Sequence, residues 1–197
     1  MAEPATPPDT PIAIASRDLC REVSSEALTN HCERTFVFGA ALGEREGYAF
    51  DGELLYVASM LHDLGLTERF DGPEEFEVQG ANAAHDFLLG RGWDDAKAEL
   101  VREAITLHDR VGTEDHERKE VPLLRLGAGV DVLGLGIEDV PPEIVERAVA
   151  EFPRAGLSAE LVHLFGDQAR RKPESWLGML VENLDWLERI EQAPFEE

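Results

Sequence analysis

From about Ile12 to the C-terminus the apolar residues recur at a helical period, and no segment sustains the alternation of a half-buried strand. That regularity restricts the chain to an all-α bundle with short connections. The apolar lines are separated by residues that start or stop helices. A helix starting at Ser24 or Ser25 carries Leu28, Cys32, Phe36 and Leu42, and one following Asp51 carries Leu54, Leu55, Ala58 and Leu61 and stops at Gly65. A third carries Phe76, Ala84 and Leu88 and stops at Gly90; a fourth starts at Asp94 or Asp95 and ends near Gly112; a fifth starts at Pro122. Three more helical patterns begin at Pro142, at Ser158 and near Ser175. Residues 1–11, with four prolines, read as an extended arm, and residues 12–197 read as one domain. A chain of 197 residues buries enough surface to fold without a disulfide or a structural metal, so a bound metal would serve chemistry.

Charge narrows the partners. Against 41 Asp and Glu stand 18 Lys and Arg, a formal net charge of −23. Such a chain is repelled by a phosphate backbone and by anionic lipid, which argues against nucleic-acid and membrane-surface binding and for a small-molecule substrate. The first residues have neither a basic nor an apolar signal region, and Cys20 and Cys32 are too few for a disulfide framework. Both observations point to the cytoplasm, with the two cysteines as packed thiols. Trp176 and Trp186, ten residues apart, would stand about 80° apart on one continuous helix. One is expected to close the bundle and the other to face a dimer partner, which leaves room for a homo-oligomer.

Six histidines are present, and four of the first five helical segments contain one. The adjacent pair His62-Asp63 falls at the end of a helix, where neighbouring side chains can share one ion although they point about 100° apart. His31 lies in an apolar stretch of the first strong helix. Asp131 is the only charged residue between Arg125 and Glu138. A carboxylate on an apolar helix face is unfavourable unless it is paired or bound to a metal. Three such positions on helices otherwise built for a core suggest one shared divalent ion, and imidazole with carboxylate suits Zn²⁺ first, with Fe²⁺, Mn²⁺ or Co²⁺ as alternatives.

The series His31, His62-Asp63, Asp131 resembles the H…HD…D signature of the HD superfamily of metal-dependent hydrolases, and within it the cyanamide hydratase-like branch. The likeness extends to NHCERTFVFG (30–39), LLYVASMLHDLGLT (54–67), FEVQGANAA (76–84), AITLHDRVG (104–112) and LGAGVDVLG (126–134). It implies a five-helix HD core with additional C-terminal helices, and His31, His62, Asp63 and Asp131 as metal ligands. In two-metal members a further histidine precedes a glycine of the third helix by four residues; here the matching position is Phe76. His85, nine residues on, is about half a turn out of phase. One metal is therefore expected.

The same likeness makes His108 a candidate to bond substrate or water, with Asp63 or His108 passing a proton. Arg34, one turn from His31, Thr67 after the HDLG turn, and Phe76 are the expected substrate contacts. His116, in a charged loop, and His163, in a late helix, read as structural. Two reactions are then open. In one, metal-bound hydroxide attacks a small neutral nitrile-like carbon, with cyanamide to urea as the lead. In the other, a nucleotide or small phosphoester is hydrolysed; a non-catalytic metal-binding module is a third reading. The position that carries an acid in many HD nucleotidases is Leu66 here, and only Arg34, Arg69 and Arg110 are available as cations, which favours the neutral substrate.

Overall fold

A computed structural model describes residues 4–196. The described residues form ten α-helices with no strand among them, so the all-α expectation holds. Ser25 caps α2 (Glu26–Glu46), its hydroxyl accepting from the Leu28 amide, and Asp51 caps α3 (Gly52–Leu61) through the Glu53 and Leu54 amides. Asp94 caps α5 (Asp95–Leu107) through the Lys97 amide. Between them α4 runs Phe76–Gly90. The centre of the molecule is α2 crossed by α6 (Glu120–Leu133), which begins two residues ahead of Pro122.

That crossing is set by glycine. A Cβ on Gly127 would lie 2.1 Å from the Thr35 carbonyl oxygen, and one on Gly39 would lie 2.6 Å from that of Leu123. Only glycine lets the two backbones meet this closely, and their approach puts His31 of α2 opposite Asp131 of α6. A second close approach fixes the end of α3. This helix stops at Leu61, four residues before the predicted Gly65, because Asp63 leaves the helical region (φ −100°, ψ 12°) and the chain tightens into a 3₁₀ turn at Leu64–Leu66. A Cβ on Gly65 would lie 1.9 Å from the Phe76 carbonyl oxygen, so this turn sits directly on the start of α4.

Elsewhere the boundaries depart from the sequence reading for local reasons. Residues 11–23 form a helix of their own, α1 (Pro11–Val23), capped by Thr10, so Pro11 opens a helix instead of closing an arm. Ala5 packs on the core ahead of it, and Met1–Glu3 lie outside the described residues. Helix α5 ends at Leu107, short of Gly112. Pro142 opens α7 (Pro142–Glu151) as expected. In α8 (Leu157–Arg171) the N-cap is Gly156, because the Ser158 hydroxyl is engaged by Arg154.

The last pattern is two helices, α9 (Trp176–Asn183) and α10 (Trp186–Glu191). They are separated at Asp185, whose φ of +50° ends helical continuation. The break invalidates the phase argument for Trp176 and Trp186, and both line the same cavity. Trp176 ties α9 to the core: its amide donates to Glu75 and its indole N–H to the Asp109 carbonyl. No helix among the described residues is long and apolar enough to cross a membrane.

Candidate metal centre

His31, His62 and Asp63 are all buried, and one ligand atom from each lies within 4.8 Å of the other two. His31 Nε2 is 3.1 Å from His62 Nε2, and Asp63 Oδ2 is 3.5 Å and 3.3 Å from these two nitrogens. The remaining nitrogen of each ring is committed. Nδ1–H of His31 donates to Asp131 Oδ2 at 2.7 Å, and Nδ1–H of His62 donates to the Ser59 carbonyl at 2.7 Å. Each Nε2 therefore presents a lone pair, and two lone pairs facing each other at this distance require a positive charge between them. Burial, with the His31 and His108 rings close by, holds His62 down to about 4 despite Asp63, so at neutral pH it is the uncharged donor that a metal needs. The donor set fits a divalent ion of the Zn²⁺, Fe²⁺ or Mn²⁺ type.

Asp131 is not where a fourth ligand is expected. Its Oδ1 accepts from Arg34 Nε at 2.7 Å and Arg154 Nη1 at 3.3 Å, and its Oδ2 accepts from Arg34 Nη2 at 2.8 Å and from His31. Two carboxylate oxygens offer about four lone-pair sites, and four donors occupy them. Burial works against its charge, but Arg34 and His31 outweigh it and hold Asp131 well below the ordinary carboxylate value. The structure thus puts Asp131 one layer behind the centre, where it fixes the tautomer and aim of His31.

Arg34 shares that fate. It is fully buried, held by Asp131 and by the Phe152 and Pro153 carbonyls, and it does not line the cavity. Thr67 is also outside the lining, its hydroxyl donating to the Leu64 carbonyl and closing the 3₁₀ turn. Neither is placed to touch substrate, because each hydrogen-bonding group is already used within the fold. The other two candidate cations are paired as well, Arg69 with Glu22 at the surface and Arg110 with Glu75.

His108 and Phe76 do face the centre. His108 is the C-cap of α5, its Nδ1–H donates to the Ile105 carbonyl at 2.6 Å, and its Nε2 stands 3.9 Å from Asp63 Oδ1. Its ring packs edge-on against His62 (5.0 Å) and Phe76 (5.7 Å). His85 lies away from this point, its Nε2 3.8 Å from Glu99 of α5. His116 caps no helix and sits near Glu103 at the surface. Cys20 and Cys32 are buried and free, with Cys32 Sγ 3.9 Å from His62 Nδ1.

Three residues escaped the sequence reading. Arg154, completely buried beside Asp131, follows a proline between helices and carries no motif. Asp109 and Glu77 form a buried carboxyl pair next to His108. Apart from each other, Asp109 Oδ1 and Oδ2 and Glu77 Oε2 have no hydrogen-bond donor among the described residues, although Arg110 stands 3.4 Å from Asp109 Oδ1 and 3.5 Å from Glu77 Oε1. Burial first, then the hydrogen bond and charge of Asp109, push Glu77 up to about 8, and burial also raises Asp109. Between them the two carboxyls hold a proton at neutral pH. The available signal was the acid directly after His108 in the LHDR segment.

His31, His62, Asp63, Phe76, His108 and Asp109 form one end of a cavity of about 640 Å³ whose remaining walls come mainly from α6 and α8–α10, with Val111, Leu135 and Gly136 from the connections. An all-α bundle that brings His31 of α2, His62-Asp63 at the end of α3 and Asp131 of α6 to one place defines a class, and the chain belongs to it: residues 28–189 match the HD domain family. The chain is a metal-dependent hydrolase or hydratase of that family. Among its relatives are the cyanamide hydratases DDI2 and DDI3 of Saccharomyces cerevisiae, each 22% identical over 172 residues, covering 85% of this chain and 76% of theirs.

Proposed function

We propose that the enzyme adds water to a neutral nitrile-like carbon, R–C≡N + H₂O giving R–C(=O)NH₂, at an ion held by His31, His62 and Asp63. The observation that carries the neutral substrate is electrostatic. The metal end of the cavity presents Asp63 and Asp109 beside uncommitted imidazole nitrogens, and the three arginines nearest in sequence are already paired with carboxylates. A phosphoester would bring further negative charge beside Asp63 and Asp109, and the arginines that line the cavity, Arg125 (paired with Glu114) and Arg189, come from α6 and α10 and not from the helices that carry the ligands.

Held by His31, His62 and Asp63, a divalent ion would supply Lewis-acid chemistry, which lowers the pKa of a bound water toward about 7. The protein's part follows from its hydrogen bonds. Asp131, itself locked by Arg34 and Arg154, keeps His31 in the Nδ1–H tautomer, and Ser59 does the same for His62. His108 has its Nδ1–H tied down and its Nε2 free toward Asp63 and the cavity, the arrangement of a group that takes a proton from water and returns it to the nitrogen. Phe76 backs the His108 ring and shields it from water on that side. Support for the reaction also comes from the two yeast cyanamide hydratases. The acidic surface and the free thiols fit a cytoplasmic enzyme on a small-molecule substrate.

The test is direct. Metal-reconstituted protein should convert cyanamide or a simple nitrile to urea or amide, with His108→Ala lowering kcat by about 10²-fold or more. Phosphoesters should be inert. Turnover of a phosphoester panel without any nitrile turnover would replace this reading.

A further inference from the structure

The cavity is far larger than a three-heavy-atom molecule such as cyanamide. A water takes about 30 Å³ of liquid, while the cavity of about 640 Å³ lies in the range of pockets for ligands of drug size, about 300–1,000 Å³. Its body is also chemically distinct from its metal end. Leu126 and Val132 of α6, Phe165 of α8, Leu177 and Leu180 of α9 and Trp186 of α10 supply most of the walls, with Arg125 and Arg189 the charged side chains among them. At the mouth stand Val111, Leu135 and Leu184, which are 70%, 54% and 48% exposed and are among the most exposed large apolar side chains of the described chain. Water gains little from such a lining, and an apolar rim left in solvent is unfavourable unless something covers it. Trp186 adds one further point: its indole N–H is buried with no acceptor among the described residues.

Resting on the nitrile reading above, we infer that the substrate carries a long or bulky apolar body, which fills the α6–α8–α9–α10 cavity while its small polar head reaches the metal end. Cyanamide would then be a minimal substrate that occupies only the head position. The C-terminal helices, which the HD core itself does not require for its ligands, become the specificity element, and the break at Asp185 is what lets α9 and α10 both face the cavity.

The experiment measures binding by calorimetry, and turnover separately, for two straight-chain series on the metal-loaded full-length protein: n-alkyl nitriles and n-alkyl phosphates of about two to ten carbons. If the apolar body is bound, each added methylene tightens binding roughly fourfold until the cavity is full. Leu184→Asp, at an exposed site that tolerates a charge, should weaken the longest members at least tenfold and leave the shortest ones little changed. Equal affinity along both series, or tightest binding of the shortest members, overturns the inference. Head-group preference is a separate outcome: length-dependent binding with turnover only of the phosphates keeps the apolar body and overturns the nitrile reading, whereas nitrile turnover without length dependence does the reverse.

Discussion

At the scale of single residues, the centre depends on a buried carboxylate that stands directly behind the ligand His31. Asp131 neutralises Arg34 and Arg154 and accepts from His31. Asp131→Asn should weaken metal binding by about 10–100-fold, because the amide can no longer enforce the His31 tautomer. It should also destabilise the fold by about 3–5 kcal/mol, since two buried guanidiniums lose their counter-charge. Competition with a chromogenic chelator and urea unfolding measure the two effects. The carboxyl pair gives a second prediction. Glu77 binds its proton more tightly folded (about 8) than unfolded (4.5). Its contribution to stability is therefore fully present below about pH 4.5 and lost as pH rises through about 8. Glu77→Gln keeps the shape and removes the titration, so its unfolding free energy should fall less than that of the parent between about pH 5 and 9. Parallel profiles would contradict the shared proton.

At the scale of elements, two glycine contacts assemble the site. Gly127→Ala should cost about 1–3 kcal/mol by forcing α6 off α2. It should also lower metal affinity, because the His31–Asp131 distance opens with the crossing. A variant that is destabilised but binds metal normally would show that the crossing and the centre are independent. These contacts explain what could be read in advance. Ser25, Asp51 and Asp94 announce their helices because capping is local chemistry. The engagement of Asp131 by two arginines was invisible, because it depends on Arg34 and on Arg154, which arrives from a connection 23 residues further on. The split of the last helix was hidden for a similar reason. Asp185 in a left-handed conformation is not marked by Gly or Pro, and the apolar pattern runs through it.

At the scale of the whole molecule, His31, His62 and Asp63 were legible because each is a polar residue on an apolar face, and such residues need a reason to be there. Arg34 and Thr67 met that same criterion yet serve the fold, since a buried polar group can be satisfied from within. The cavity was not legible at all: its walls are ordinary core residues until the packing of α9 and α10 leaves space between them. A net charge of −23 repels anionic partners at a distance, while Asp63 and Asp109 at the metal end extend the same preference into the cavity. If the ion joins α2 to the end of α3, chelation should lower the melting temperature, by an amount that grows with the excess of metal over its Kd and corresponds to about 2.7 kcal/mol at a hundredfold excess. Calorimetry with and without chelator measures it.

On the proposed reading, His31, His62 and Asp63 hold a divalent ion without Asp131 as a direct ligand. X-ray absorption spectroscopy of the metal-loaded protein tests it most directly, with Asp131→Asn and Asp63→Asn alongside. The expected shell is imidazole-rich with one protein carboxylate, unchanged by Asp131→Asn once loaded at saturating metal and altered or lost in Asp63→Asn. Loss of a carboxylate from the shell of Asp131→Asn, with the shell of Asp63→Asn intact, would contradict it.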